Sequence, residues 1–169
     1  MTISLAEAVK LKSILNRKVH ELTAEAASVA YTIVEKGTEP KLPTHTLQQV
    51  EVELAEVRRD ARKLDALIYR ANIDNTITFK EEVMPIVEAI ELATQLRAEA
   101  ERCKQLSQSE KESLYHSPGD TVFYHVALFE PAEYRERANR LEKEAHRLSN
   151  AINAKNYEVQ IDFDDHKYF

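Results

Sequence analysis

Six residues carry the side chains best suited to holding a small ligand: Arg70, Asn72, Asn75 and Thr76 in the stretch LIYRANIDNT, with His125 and Asn156 farther along. A guanidinium can grip a carboxylate or phosphate through two parallel hydrogen bonds, amides both donate and accept, and an imidazole can bind a metal or carry a proton. A competing reading is helix punctuation. Leu64, Ile68 and Asn72 lead into Ile73, and Leu148, Ile152 and Asn156 lead into Tyr157 with the same spacing. Asparagine tolerates the left-handed conformation better than other residues with a side chain, so it can stop a helix where glycine is scarce. The repeated spacing favours punctuation: Asn72, Asn75 and Asn156 are read as helix ends, and the six residues stand as a secondary ligand-binding set.

Other chemistry is thinly represented. A di-iron bundle needs Glu-x-x-His pairs, and none occurs. Glu142 and His146 are four apart, the distance of a surface pair on a helix. Asp162, Asp164 and His166 read as a solvated acidic tail rather than a metal site. Cys103 falls on the apolar side of its helix and reads as inert core, and His125, inside an apolar run, reads as a buried core histidine. With only 2 glycines there is little material for a loop that cradles phosphate. The expectation is a protein without a catalytic constellation, and no cofactor or metal is called for.

The elements that would position these residues are mostly helical. Of 169 residues, 43% are hydrophobic and 31% charged, with 5 prolines and no tryptophan, a mixture suited to long helices. Acidic and basic residues alternate along the same faces and the net charge is −6, which disfavours a nucleic-acid partner. The lone Cys103 fits a reducing compartment. The start MTISLAEAVKLKS lacks the features of a secretory signal. The most apolar window, Ala26 to Val34, falls far short of the ~20 residues needed to cross a bilayer. A single soluble, cytoplasmic domain with no membrane partner is expected.

Four segments carry a three-and-four apolar period. Helices are expected over residues 4–36, 44–72, 79–113 and 131–156, and strands over 121–129 and 157–163. The first seam runs Leu5, Ala8, Lys12, Leu15, Val19, Leu22, Ala26, Val29, Ile33, with Ser4 and Glu7 as a capping box and Gly37 as the stop. Lys12 interrupts the seam as a snorkelling or register-setting residue. After a short loop, TEPKLPT, the second seam runs Leu47, Val50, Leu54, Val57, Ala61, Leu64, Ile68, Ala71, capped by Thr46 with Gln49 or begun at Thr44. Thr78 with Glu81 would cap the third helix, whose seam is Val83, Ile86, Val87, Ile90, Ala93, Leu96, Ala100 and Cys103; Pro85 either bends its first turns or marks its true start. Ser117 to Asp120, SPGD, predicts a turn before the strand, and Pro131 opens the fourth helix. That helix repeats at Tyr134, Ala138, Leu141, Ala145, Leu148 and Ile152. The expected fold is mainly α: a long antiparallel helical hairpin in a four-helix bundle or coiled-coil arrangement, with two short β-strands. Seams too long for the fourth helix to cover, and strands with open edges, point to a homo-oligomer.

LIYRANIDNT (Leu67 to Thr76) followed by LSNAINAKNY (Leu148 to Tyr157) resembles a family of small bacterial helical-hairpin proteins of uncharacterised activity, sometimes labelled septicolysin. Arg70, Asn72, Asn75 and Thr76 match the first family element, and Ile152, Asn156 and Tyr157 the second. The sequence departs from the pattern near Pro85, where the family has an Arg-Asp pair. The resemblance implies a helical bundle and brings no activity with it. Three functions follow as expectations: a non-enzymatic, self-associating helical scaffold or interaction protein; a small-molecule or metal-binding bundle using the Asn-Thr junction; and, from the family label alone, a membrane-active protein.

Overall fold

The computed structural model describes residues 2–115, 119 and 121–168. In chain order the elements are β1 (Thr2–Ser4), α1 (Leu5–Val29), α2 (Leu47–Asp74), β2 (Thr76–Phe79), β3 (Glu82–Pro85), α3 (Ile86–Ser107), β4 (Glu112–Tyr115), β5 (Phe123–Val126), α4 (Pro131–Glu158) and β6 (Gln160–Asp162). The protein is mainly helical, with short antiparallel strand pairs. It divides into two compact units, one of residues 1–75 and 155–169, the other of residues 76–154.

In the first unit, Ser4 starts α1 through the expected capping box. The Glu7 N–H donates to Ser4 Oγ at 3.2 Å, and the Ser4 N–H donates to the Glu7 carboxylate at 2.7 Å. The Ser4 backbone and side-chain hydrogen bonds hold the Glu7 carboxyl below the usual carboxylate range. The helix ends at Val29 and not at Lys36. Among the described residues no surface covers residues 31–34: Tyr31 is 89% and Ile33 100% exposed, and the β-branched run Thr32-Ile33-Val34 favours extended backbone. Residues 30–46 form one long loop, and Gly37, at φ +91°, sits in a tight turn within it instead of stopping a helix.

Thr46 caps α2, with its N–H donating to Gln49 Oε1 at 2.9 Å, so the helix begins at Leu47 and Thr44 lies outside it. Lys12 pairs with Asp65, and Lys18 with Glu53 at 2.7 Å, so α1 and α2 run antiparallel. Their shared core is Leu5, Ala8, Leu11, Leu15 and Leu22 against Val50, Leu54, Val57, Leu64 and Ile68. Leu11 is fully buried where the sequence spacing put Lys12, which stays half-buried with its ammonium against Asp65 and over the Tyr69 ring. The hydrogen bond to Asp65 raises the Lys12 pKa.

Asparagine ends α2, though by a different device from the one expected. Asn72 lies within the helix, which continues to Asp74. The cap is Asn75, extended at φ −107°, whose side-chain amide donates to the Ala71 carbonyl at 2.9 Å. Asn156 likewise lies within α4, which runs on to Glu158. The C-terminal strand is shorter than the expected 157–163 and has a partner that the sequence did not reveal. β6 pairs antiparallel with β1, Ile161 opposite Ile3, and the Leu5 N–H donates to the Val159 carbonyl at 2.8 Å. Val159, Ile161 and Phe163 are buried, and Tyr168 donates its hydroxyl to Asp60 at 2.7 Å. Burial, then the Asp60 carboxylate, pushes the Tyr168 pKa up. This end of the chain therefore alternates core residues with solvated ones: Asp162, Asp164 and His166 are exposed as expected, while Val159, Ile161 and Phe163 between and before them are buried.

The second unit opens on a hairpin where a helix start was expected. β2 and β3 pair with Phe79 opposite Glu82, and the turn residues Lys80 and Glu81 have φ of 51° and 68°. Two left-handed central residues make a type I′ turn, which normally selects Asn-Gly. Thr78 and Glu81 therefore sit in the hairpin and cap nothing. Because a side chain in the left-handed region costs roughly 1–2 kcal/mol, Glu81→Gly is expected to stabilise the protein by about 1 kcal/mol. A raised urea midpoint would confirm it, and a lowered one would contradict the strain.

Pro85 precedes α3 at φ −57°, so the helix starts after it without a kink and stops at Ser107, short of residue 113. Its buried face is Ile86, Ala89, Ala93, Ala100 and Cys103, whereas Val87 and Ile90, expected in the seam, are 47% and 42% exposed. α4 begins at Pro131 as expected and buries Ala138, Ala145, Leu148 and Ile152. Its last turn, from Lys155, belongs to the first unit. Glu99 takes two hydrogen bonds from Arg102 and one from Arg137 at 2.8 Å, joining α3 to α4. The Arg102 hydrogen bonds lower the Glu99 pKa to about 2 from 4.5. Since the folded value is depressed, whatever Glu99 contributes to stability is present above pH 4.5 and lost as pH falls through about 2. A side-chain NMR titration should show the Glu99 carboxyl still ionised at pH 3.5, and a midpoint near 4.5 would contradict the triad.

β4 and β5 form a third strand pair. The expected strand 121–129 contracts to Phe123–Val126. The predicted turn at Ser117 to Asp120 lies outside the described residues except for Gly119.

Candidate interaction surface

The six candidate ligand residues do not form a described site. In the first unit, Arg70 is exposed on α2, and Asn72, Asn75 and Asn156 are half-buried. Asn75 is engaged in capping. The Asn156 Oδ1 is shielded from solvent without a hydrogen bond among the described residues. In the second unit, Thr76 opens β2 opposite Pro85, and His125 sits in β5 opposite Ser113. Contrary to the expected buried histidine, His125 is exposed. Among the described residues no hydrogen bond or ion pair joins any two of the six. None of the groups of three or more His, Cys, Asp and Glu among the described residues could hold a metal ion. Cys103 is buried, as expected, with its thiol 3.8 Å from the Glu99 carboxylate.

What stands out instead is the β4–β5 pair. A globular protein normally buries one face of a strand pair against a helix or a second sheet. Here Leu114, Tyr115, Phe123, Tyr124 and Val126 are between 49% and 63% exposed. By the pairing register, Leu114, Tyr124 and Val126 lie on one face, and Tyr115, Phe123 and His125 on the other. Both faces therefore carry open apolar side chains, with Glu112 at one end of the first and Ser113 and His125 on the second. Val122 and Leu128, flanking β5, are 63% and 97% exposed. At the base of the pair, Ser113, His125 and Phe129 line a half-open groove of about 550 Å³ with Glu110 and Leu128.

The backbone adds a second feature. The Ala127 N–H donates to the Lys111 carbonyl at 2.9 Å, which makes residues 111 and 127 a hydrogen-bonded pair. Such pairs alternate along an antiparallel ladder, so 113 with 125 and 115 with 123 are also bonded to each other. The N–H and C=O groups of Tyr124 and Val126 therefore point away from β4, along an edge that no strand among the described residues pairs. Sequence reasoning found β5 and missed β4, because Glu-Ser-Leu-Tyr is too short to show alternation. The available signal was the absence of any Asp, Glu, Lys or Arg from Thr121 to Phe129 in a chain that is 31% charged.

No protein-family model matches the chain, and no curated protein matches it in sequence. Its fold is similar to the crystal structure of a functionally unknown conserved protein from Corynebacterium diphtheriae, with a TM-score of 0.70 and 21% identity, covering 95% of this chain and 99% of that one. At this identity the likeness establishes the fold alone: four helices with short antiparallel strand pairs, and no activity transferred.

Proposed function

We propose that the protein is a non-enzymatic, self-associating helical interaction protein. One observation carries the reading: a two-stranded sheet with apolar side chains open on both faces, in a chain otherwise rich in charge. Exposed apolar patches of this kind mark association surfaces, and an isolated strand pair is marginal in water until something covers it. The three-and-four spacing of the α1–α2 seam supports a coiled-coil-like packing of that helical hairpin. The lone, buried Cys103 fits a reducing compartment such as the cytoplasm. Size-exclusion chromatography with light scattering should return a defined oligomer, and a monomer at every concentration would remove the reading.

A second reading, small-molecule binding, draws on the groove beside His125, whose volume lies within the range of ligand pockets. Ligand-dependent shifts in melting temperature would support it, and a flat response across a broad library would end it. The membrane-active reading rests on the resemblance to the septicolysin-labelled family. No helix of the described residues is long and apolar enough to cross a membrane. Dye leakage from liposomes would support that reading, and intact liposomes would dismiss it.

A further inference from the structure

We infer that the occupant of the β4–β5 surface is a second copy of this chain, added antiparallel to the outer edge of β5 across a two-fold axis, giving a four-stranded sheet ordered β4–β5–β5–β4. The inference rests on the self-association proposed above and deepens it by naming the edge.

Three observations select that edge. First, β5 can meet itself without electrostatic cost. In an isologous contact each residue faces itself or a near neighbour, and like charges directly opposite one another are destabilising. Thr121 to Phe129 holds no charged residue, whereas β4 opens on Glu112 and directly follows Glu110 and Lys111. Charges on an edge strand are a common guard against such pairing, so β4 is guarded and β5 is not. Second, the outward N–H and C=O groups of Tyr124 and Val126 can exchange hydrogen bonds with the same groups of a second chain. Outward-facing residues must pair with outward-facing residues, so the axis has to pass at residue 124, 125 or 126. Third, the side chains along that edge are available to meet their copies. On β5 itself, Phe123, Tyr124 and Val126 are 49–55% exposed, and apolar cross-strand pairs with the same residues of a second chain stabilise a sheet.

The test separates edge pairing from self-association in general. Cys103 is buried, so single cysteines can be placed on the surface without removing it. Cysteine at position 124, 125 or 126 should give a disulfide-linked dimer under mild oxidation, strongest at one of these, while cysteine at Leu114 on β4 should give none. Val126→Pro removes an outward N–H without touching the bonds to β4. It should weaken dimerisation at least tenfold in sedimentation equilibrium, with the helical circular dichroism and melting profile retained, whereas Leu114→Pro should leave assembly intact. If the wild-type chain is an oligomer but Val126→Pro assembles normally and cross-links form on β4 alone, the edge assignment is overturned and self-association stands. If the wild-type chain is a monomer throughout, both fall.

Discussion

Truncation after Glu158 is expected to abolish cooperative unfolding of the first unit. The deletion removes β6, its pairing with β1, and the buried side chains of Val159, Ile161 and Phe163. Each such side chain is worth roughly 1.5–3 kcal/mol when fully buried, so the three together account for about 5–9 kcal/mol as an upper estimate. That is comparable with the whole stability of a typical domain, about 5–15 kcal/mol. The Leu5 N–H, which donates to Val159, and the hydroxyl of Tyr168 on Asp60 are lost as well. Urea titration followed by circular dichroism should show the α1–α2 signal melting with little or no denaturant. Ile161→Asp, which keeps the chain length, should move the midpoint in the same direction. An unchanged midpoint in both variants would mean that the C-terminal strand is peripheral.

Leu15→Ala and Ile33→Ala should differ by several kcal/mol although both residues lie on the same three-and-four apolar seam. Leu15 is fully buried between α1 and α2, and deleting a buried leucine to alanine costs about 2–5 kcal/mol through lost transfer energy and the cavity left behind. Ile33 is 100% exposed, and substitution at such a site stays within about 0.5 kcal/mol. Thermal unfolding should show the Leu15 variant lower by roughly 10 °C or more and the Ile33 variant close to wild type. Equal losses would mean that α1 continues beyond Val29 and buries Ile33.

This pair of residues also marks how far the sequence could be read. The existence of four helices and the antiparallel pairing of the first two followed from apolar spacing, because that spacing is the physical cause of the packing. Both capping boxes, Ser4 with Glu7 and Thr46 with Gln49, formed as their local chemistry requires. Where a helix stops, however, depends on whether another surface covers its face. The local signal at Ile33, the β-branched run Thr32-Ile33-Val34, is weak beside the apolar seam that it shares with Leu15. The β2–β3 hairpin stayed hidden for a different reason. Its type I′ turn is made by Lys80 and Glu81, neither of which signals a left-handed turn, and Thr78 with Glu81 imitates a helix cap. β1, β4 and β6 are three or four residues long and take their identity from partners elsewhere in the chain. The Asn-Thr junction attracted attention as a ligand site, yet Asn75 is occupied in capping α2. The apolar, charge-free run that makes up the candidate surface was visible in the sequence. Its exposure was not, since the same composition usually signals a buried strand.

Amide hydrogen exchange along β5, compared at low and high protein concentration, bears most directly on self-association through this edge. The Tyr124 and Val126 amides point away from β4, and those of Phe123 and His125 point toward it and serve as an internal reference. Exchange at Tyr124 and Val126 that is fast in dilute solution and slows as the chain is concentrated is the expected result. Exchange that stays fast at both positions up to the highest concentration would contradict it.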